Sequence, residues 1–519
     1  MNAMTSMAQF ARRPVAATGE SGAERHGLLY AMAIPAFMAI LLALVPVLGM
    51  GARPLFLLTL VPLVIWTAFT NTERALYVFV AWCWMDGTIR GVLNAGPIGI
   101  LARDIVLAIV VIGWAFRRLQ TRGADPIRWP PGTYIIALFA INGVLQIMNP
   151  YSLGLMQSLA GLKVHLTPLP ILFLAYDTIR RKNQVYALLW FLTLGTFVIG
   201  SVSLIQYMFG RDWTWAHFPG TKDLILQNAH VMSAGAKVDK SALFRPPGTT
   251  STGGFTGAYV GYVFPLAFAL TMMSPKAGVT PVWRSVLIGI VFLFVVFIFI
   301  NSLRAALADA VVGVVICSFR IGGRLWMRTL LVLMMSVTLA LMAWTYSKTI
   351  SGGVVADRYA SMLADPVAAV HSDRRTLFDE FDEVVVQAPM GVGLGRAGAA
   401  VGHLGAADNS PGFVVFSESH IDFLIFETGI IGAVLLVGTT IMIVFRAFRV
   451  FARLRDEDDR IAASSIFSVL LVVVGSLPFI CVLGAPPGSI LFWLLAGTML
   501  SVYDRAPKSK PKVWSRGIE

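Results

Sequence analysis

About fourteen mostly apolar stretches, several of them close to 20 residues long, follow one another along this chain. They lie at 27–50, 54–71, 75–87, 104–116, 133–149, 164–178, 185–209, 254–274, 284–302, 304–319, 327–348, 420–444, 462–484 and 488–503. A helix of about 20 apolar residues matches the hydrocarbon thickness of a bilayer. Composition points the same way: of 519 residues, 57% are hydrophobic and 13% charged, with mean hydropathy +0.74. That is more apolar surface than a soluble core can bury. The expected fold is therefore all-α, a polytopic transmembrane helical bundle of about 14 spans. The count falls to 12 if the short runs 75–87 and 104–116 do not cross.

Charge sets the expected topology. The net charge of +13 could point to nucleic acid, but the basic residues flank apolar runs instead of forming one polar domain, as expected for membrane orientation and not for nucleic-acid binding. Arg117, Arg118, Arg122 and Arg128, then Arg180, Arg181 and Lys182, then Arg320, Arg324 and Arg328, then Arg446, Arg449, Arg453, Arg455 and Arg460 occupy four connections. All four fall on one side in a 14-span count, with the basic tail 504–519. The positive-inside rule then makes both termini cytoplasmic. The polar stretch 1–26 reads as a cytoplasmic tail followed by a retained helix, with no small-residue cleavage site near it. Residues 27–503 form the membrane domain, and two long loops, 210–253 and 349–419, face outward. Cys83, Cys317 and Cys481 are far apart in apolar runs, which indicates neither a disulfide framework nor a zinc site.

The outer loops are where chemistry is expected. Loop 210–253 opens with Trp213 and Trp215; tryptophans at a boundary anchor in the headgroup region, and their rings also stack on sugars. It ends at Arg245-Pro246-Pro247-Gly248-Thr249, where an arginine sits beside the free backbone N–H groups of a helix start, an arrangement suited to phosphate oxygens and equally to anchoring in the lipid headgroup region. Arg304 follows Asn301-Ser302-Leu303 between two apolar runs, so close to hydrocarbon that it must be paired, snorkelling or functional.

Loop 349–419 is expected to contain short helices. Residues 376–388 carry Leu377, Phe381, Val384 and Val385 on one helical face, with acids largely elsewhere, as in an amphipathic surface helix. Arg374 and Arg375 stand at its start, where the helix dipole favours acids, a mismatch that fits anion binding. Gly391, Gly393 and Gly395 allow close backbone approach but form no nucleotide motif, since no strand precedes and no Lys-Ser/Thr follows. Glu418 and His420 sit where the chain re-enters the membrane and are the candidate general bases. Glu427 lies within the span, where acids are expensive and usually paired. The acidic stretch Asp456–Asp459, flanked by Arg455 and Arg460, reads as a solvated, charge-balanced loop, and no metal or other cofactor is expected.

The order Arg245…Gly248-Thr249, Asn301-Ser302-Leu303-Arg304-Ala305, Arg374, Pro389-Met390-Gly391-Val392-Gly393-Leu394-Gly395 and Glu418-Ser419-His420-Ile421-Asp422-Phe423…Glu427-Thr428-Gly429-Ile430-Ile431-Gly432 resembles the O-antigen ligase and Wzy-type polysaccharide polymerase superfamily over residues 190–445. The last block is its most specific part. The resemblance implies a metal-independent GT-C-type glycosyltransferase on the outer face of the bacterial inner membrane. Its donor is a glycan on undecaprenyl diphosphate, and its acceptor a sugar hydroxyl on another repeat unit or on lipid A–core. Arg245 and Arg304, with Arg374 or Arg375, would hold the diphosphate, Trp213 and Trp215 would contact glycan, and a chain-length regulator is a further implied partner. Where the ligase pattern has His-Asn, this chain has Glu418-Ser419, with His420 two further on. That departure favours polymerase over ligase and Glu418 over His420. A transporter or flippase is the alternative, and would use ionisable residues at mid-membrane, here Asp104 and Asp309.

Overall fold

The computed structural model describes residues 16–49, 52–92, 97–120, 127–218, 220–222, 244–251, 253–318, 364, 385, 386, 389–396, 419–484 and 486–504. Helices make up 82% of these residues and no strand occurs among them. In chain order the helices are α1 (Ala16–Leu48), α2 (Ala52–Thr70), α3 (Thr72–Trp84), α4 (Asp86–Val92), α5 (Pro97–Gln120), α6 (Thr133–Gln146), α7 (Leu155–Leu166), α8 (Leu169–Thr178) and α9 (Lys182–His217). They continue with α10 (Gly253–Met272), α11 (Pro281–Asn301), α12 (Arg304–Ser318), α13 (His420–Phe451), α14 (Glu457–Ser476) and α15 (Gly488–Val502).

Eight segments among the described residues are long and apolar enough to cross a membrane: Leu28–Leu48, Arg53–Thr70, Leu155–Thr178, Lys182–His217, Gly254–Met272, Pro281–Asn301, His420–Phe451 and Glu457–Ser476. Thr133–Gln146 and Gly488–Val502 are shorter apolar helices. The expected spans 75–87, 104–116 and 304–319 fall on α3 with α4, on α5 and on α12, none of which is among these eight. α3 has 13 residues, about 20 Å at 1.5 Å per residue against a hydrocarbon core of about 30 Å. α5 carries Arg103, Asp104, Arg117 and Arg118, and α12 is a 15-residue helix containing Arg304 and Asp309. The expected span 327–348, most of loop 349–419 and the tail 505–519 lie outside the described residues.

Local chemistry starts and stops the helices. Asn71 caps α3 by accepting from Arg74 N at 3.2 Å, Thr280 caps α11 from Trp283 N, and Asp456 caps α14 from Asp459 N at 3.1 Å. Each satisfies a backbone donor that the first helical turn leaves unpaired. α14 adds Glu457, Asp458 and Asp459 in its first turn, where acids complement the helix dipole. α10 is enclosed by α9, α11, α12 and α14, and α13 packs on α6, α14 and α15. By contrast, α1 and α2 expose many apolar side chains, including Ile40, Val47, Leu58 and Trp66.

The helices alternate, so the connections collect at two ends. At one end Asp177 accepts from Arg118 and from Arg180 at 2.8 Å, Lys182 pairs with Asp459, Gln184 donates to Glu73 at 2.7 Å, and Ser274 donates to Asp458. Three of the four arginine-rich connections recognised in the sequence meet there. The opposite end gathers the starts of α10, α12, α13 and α15 and the segment 389–396.

Candidate functional site

At this second end, α13 is broken at Gly429, whose backbone (φ 73°, ψ 175°) is far from helical. Such a conformation is essentially restricted to glycine. The break exposes backbone groups that need partners in an apolar setting. The Pro389–Gly395 segment supplies some of them: Ile430 N donates to Pro389 O at 3.0 Å and Val392 N to Phe426 O at 2.8 Å. Gly391 (φ 80°) lies directly against Gly429, and a Cβ on Gly429 would stand 2.6 Å from Met390 C. The glycines of this stretch thus serve backbone-on-backbone packing across a helix break.

Polar side chains from α6, α7 and the connection between them complete the clamp. Asn142 Nδ2 donates to Thr428 O at 3.0 Å, Gln146 Nε2 to Met390 O at 2.7 Å, Asn149 Nδ2 to Gly391 O at 2.9 Å, and Gln157 Nε2 to Gly395 O at 3.0 Å. Two residues before the break, Glu427 Oε2 lies 2.8 Å from His165 Nε2, and their side chains are 0% and 2% exposed. The acid inside the span is therefore paired. Phe423 packs on both imidazoles, at 4.9 Å from the His165 ring and 5.8 Å from the His420 ring.

His420 opens α13 behind the Ser419 cap. Its backbone N donates to Leu477 O at 2.9 Å and its Nδ1 lies 3.3 Å from Cys481 Sγ. The ring is 1% exposed, and Nε2 has no partner among the described residues. One residue before Leu477, Ser476 Oγ donates to Asp309 at 3.3 Å. Asp309 belongs to α12, the helix that Arg304 begins, so a continuous set of contacts joins the Arg304 helix to His420.

The two expected phosphate-binding segments meet at Ser203 of α9. Ser203 Oγ donates to Pro246 O at 3.3 Å and accepts from Asn301 Nδ2 at 3.1 Å. Gln206, one turn on, holds Gly248 from both sides, accepting from its N and donating to its O, each at 2.8 Å. Thr249 Oγ1 donates to Trp84 O at 2.6 Å, which seats the turn on α3. Ser302 (φ 52°) makes the left-handed turn from α11 into Arg304. Arg245 and Arg304 are half-buried, and both are engaged in contacts of their own.

Other expected site residues stand apart from this arrangement or outside the described residues. Trp213 stacks on Phe209 at 4.7 Å and on His217 at 4.6 Å, so its ring is engaged within the protein. Trp215 takes the Arg211 guanidinium at 5.0 Å. Glu418, Arg374 and Arg375 lie outside the described residues. Asp104 pairs with Lys163 at 2.5 Å, and Asp309 is bonded to α14, so the two acids of the transport alternative have different partners. Among the described residues, no group of three or more His, Cys, Asp or Glu is placed to hold a metal ion.

The sequence pattern did not single out His165, Gln206 or the three amides at 142, 146 and 149. Asn142, Gln146 and Asn149 recur at helical spacing of 4 and 3 in an otherwise apolar run, a polar stripe that was a usable signal. His165, 262 residues from Glu427, offered none. Compared with known proteins, the chain matches no family model and no curated protein.

Proposed function

We propose that this chain is a membrane glycosyltransferase of the O-antigen ligase and Wzy-polymerase type. It joins glycan repeat units carried on undecaprenyl diphosphate at the outer face of a bacterial inner membrane, with both termini cytoplasmic in a 14-span topology. The observation that carries the reading is the meeting of the Arg245 and Arg304 segments at Ser203, at the end of the bundle where the glycine stretch is clamped to the broken helix.

In this reading Arg245 and Arg304, with Arg374 or Arg375, hold the donor diphosphate through charge-assisted hydrogen bonds that strengthen as its bond to the sugar breaks. The acceptor hydroxyl oxygen attacks the anomeric carbon, the bond from that carbon to the diphosphate oxygen breaks, and the diphosphate leaves on its lipid. A general base takes the hydroxyl proton. Glu418 is the first candidate, because the His420 ring is enclosed by Cys481 and Phe423. Polymerisation is preferred to ligation onto lipid A–core, on the Glu418-Ser419 pair that stands at the ligase His-Asn position.

The test is the lipid-linked glycan profile of cells lacking the protein, complemented with wild type, Arg304→Ala, Glu418→Gln or His420→Ala. Accumulated single repeat units support polymerisation; finished polymer stranded on the lipid supports ligation. Arg304→Ala and Glu418→Gln are expected to insert normally and yield no product, so normal product from both removes the site. The broken α13 with its buried His165–Glu427 pair also fits transport, in which discontinuous helices surround the substrate. Absence of any accumulated outward-facing glycan lipid would favour that second reading.

A further inference from the structure

The arginine-rich end holds a cavity of about 330 Å³ between the α2–α3 junction and the C-terminal ends of α5 and α8. That volume lies at the lower edge of small-ligand sites, roughly 300–1,000 Å³. Arg117, Arg118 and Arg180 line it, with Glu73 and Asp177 as the acids. Asp177 is already satisfied: it accepts from Arg118, from Arg180 at 2.8 Å and from Trp114 Nε1 at 2.8 Å. Glu73 accepts from Gln184 Nε2 at 2.7 Å, and burial pushes its carboxyl above the ordinary range. The cavity is thus cationic in balance, and the hydroxyls of Thr72 and Thr178 on its wall have no partner among the described residues. Thr72 is 3% exposed.

Lipid-facing surface begins at the cavity rim. Trp66 and Phe69 on α2, and Ile112 and Phe116 on α5, are exposed apolar residues. Phe69 and Phe116 meet edge to face at 5.7 Å, and Phe116 immediately precedes Arg117. Apolar helix surface therefore runs directly into a cationic pocket, the arrangement that receives an acidic head group between membrane helices. Arginine forks match phosphate oxygens, and hydroxyls supply further donors.

We propose that this cavity binds a phosphate group through Arg117, Arg118 and Arg180, and that in a membrane it is the head-group phosphate of an anionic phospholipid whose chains lie along α2 and α5. The inference is independent of glycosyl transfer.

Full-length protein purified in detergent with mixed phosphatidylglycerol and phosphatidylcholine would be assayed by native mass spectrometry for retained lipid. Heat stability would be measured with added inorganic phosphate. Arg117→Glu and the milder Arg117→Gln are compared with Arg453→Glu, an exposed site at the same end. Wild type is expected to retain phosphatidylglycerol preferentially, with retention about tenfold lower in Arg117→Glu, intermediate in Arg117→Gln and unchanged in Arg453→Glu. Stabilisation by inorganic phosphate that Arg117→Glu abolishes, without lipid preference, would keep the phosphate site and overturn its lipid source. Neither effect, or equal loss in Arg453→Glu, overturns the proposal.

Discussion

Gly429→Ala tests the clamp at the helix break most directly, because two separable costs act there. The first is conformational: at φ 73° and ψ 175° a Cβ is disfavoured by about 1–3 kcal/mol. The second is steric: the new Cβ stands 2.6 Å from Met390 C and 2.8 Å from Met390 O. Relieving a backbone clash of this kind in a packed interior costs about 1–3 kcal/mol more. Together they predict a loss of about 2–6 kcal/mol, a large part of the 5–15 kcal/mol that typically separates folded from unfolded domains. Two other glycines separate the contributions. Gly210 has nearly the same backbone, φ 85° and ψ 179°, with nothing within 4 Å of its Cβ position, so Gly210→Ala carries the conformational cost alone. Gly438, in the regular part of α13, has open space around it, so Gly438→Ala is expected to stabilise slightly, by up to about 1 kcal/mol. The assay is the temperature of half-loss of the monodisperse peak after heating in detergent. The expected order is Gly438→Ala at or above wild type, then Gly210→Ala, then Gly429→Ala lowest. Gly429→Ala no less stable than Gly210→Ala would refute the backbone contact with Met390; equality with Gly438→Ala would refute the break itself.

The remaining predictions concern polar partners and orientation. His165→Leu removes the imidazole partner of the buried Glu427 side chain and is expected to cost about 3–5 kcal/mol. Glu427→Gln should cost less, and adding Glu427→Leu to His165→Leu should cost less than the two changes summed. Additive single changes in that double-mutant cycle, to within about 0.5 kcal/mol, would exclude the pair. Gln206→Ala leaves the Gly248 N–H and C=O without their partner, at about 1–3 kcal/mol for each group. A loss no larger than that of Ser201→Ala, whose hydroxyl bonds only within its own helix, would rule that out. For the proposed orientation, a membrane-impermeant maleimide should label Tyr151→Cys in intact cells, and Arg453→Cys only after permeabilisation. The reverse pattern would invert the topology.

Much of the fold was legible because bilayer thickness imposes a length on apolar runs. The runs at 54–71, 284–302 and 420–444 correspond to helices Ala52–Thr70, Pro281–Asn301 and His420–Phe451. The count was less legible: α3 is short and enclosed, and an enclosed helix and a lipid-facing one are equally apolar, so composition does not separate them.

The all-helical class, the apolar runs long enough to cross a membrane, the basic connections and the glycine stretch at 391–395 can all be read from neighbouring residues in the chain. These follow from local composition, chain stiffness and the cost of unsatisfied backbone in hydrocarbon. The sequence also marked Glu427 as an acid that needed a partner, without naming one. It took the packed helices to show that the partner is His165, that Asn142, Gln146 and Asn149 hold a backbone more than 240 residues away, and that Ser203 joins the Arg245 and Arg304 segments. Hydrogen bonds between distant helices leave no periodicity in the chain. They arise from which helix faces the packing brings together, and packing depends on the whole set of side chains at once.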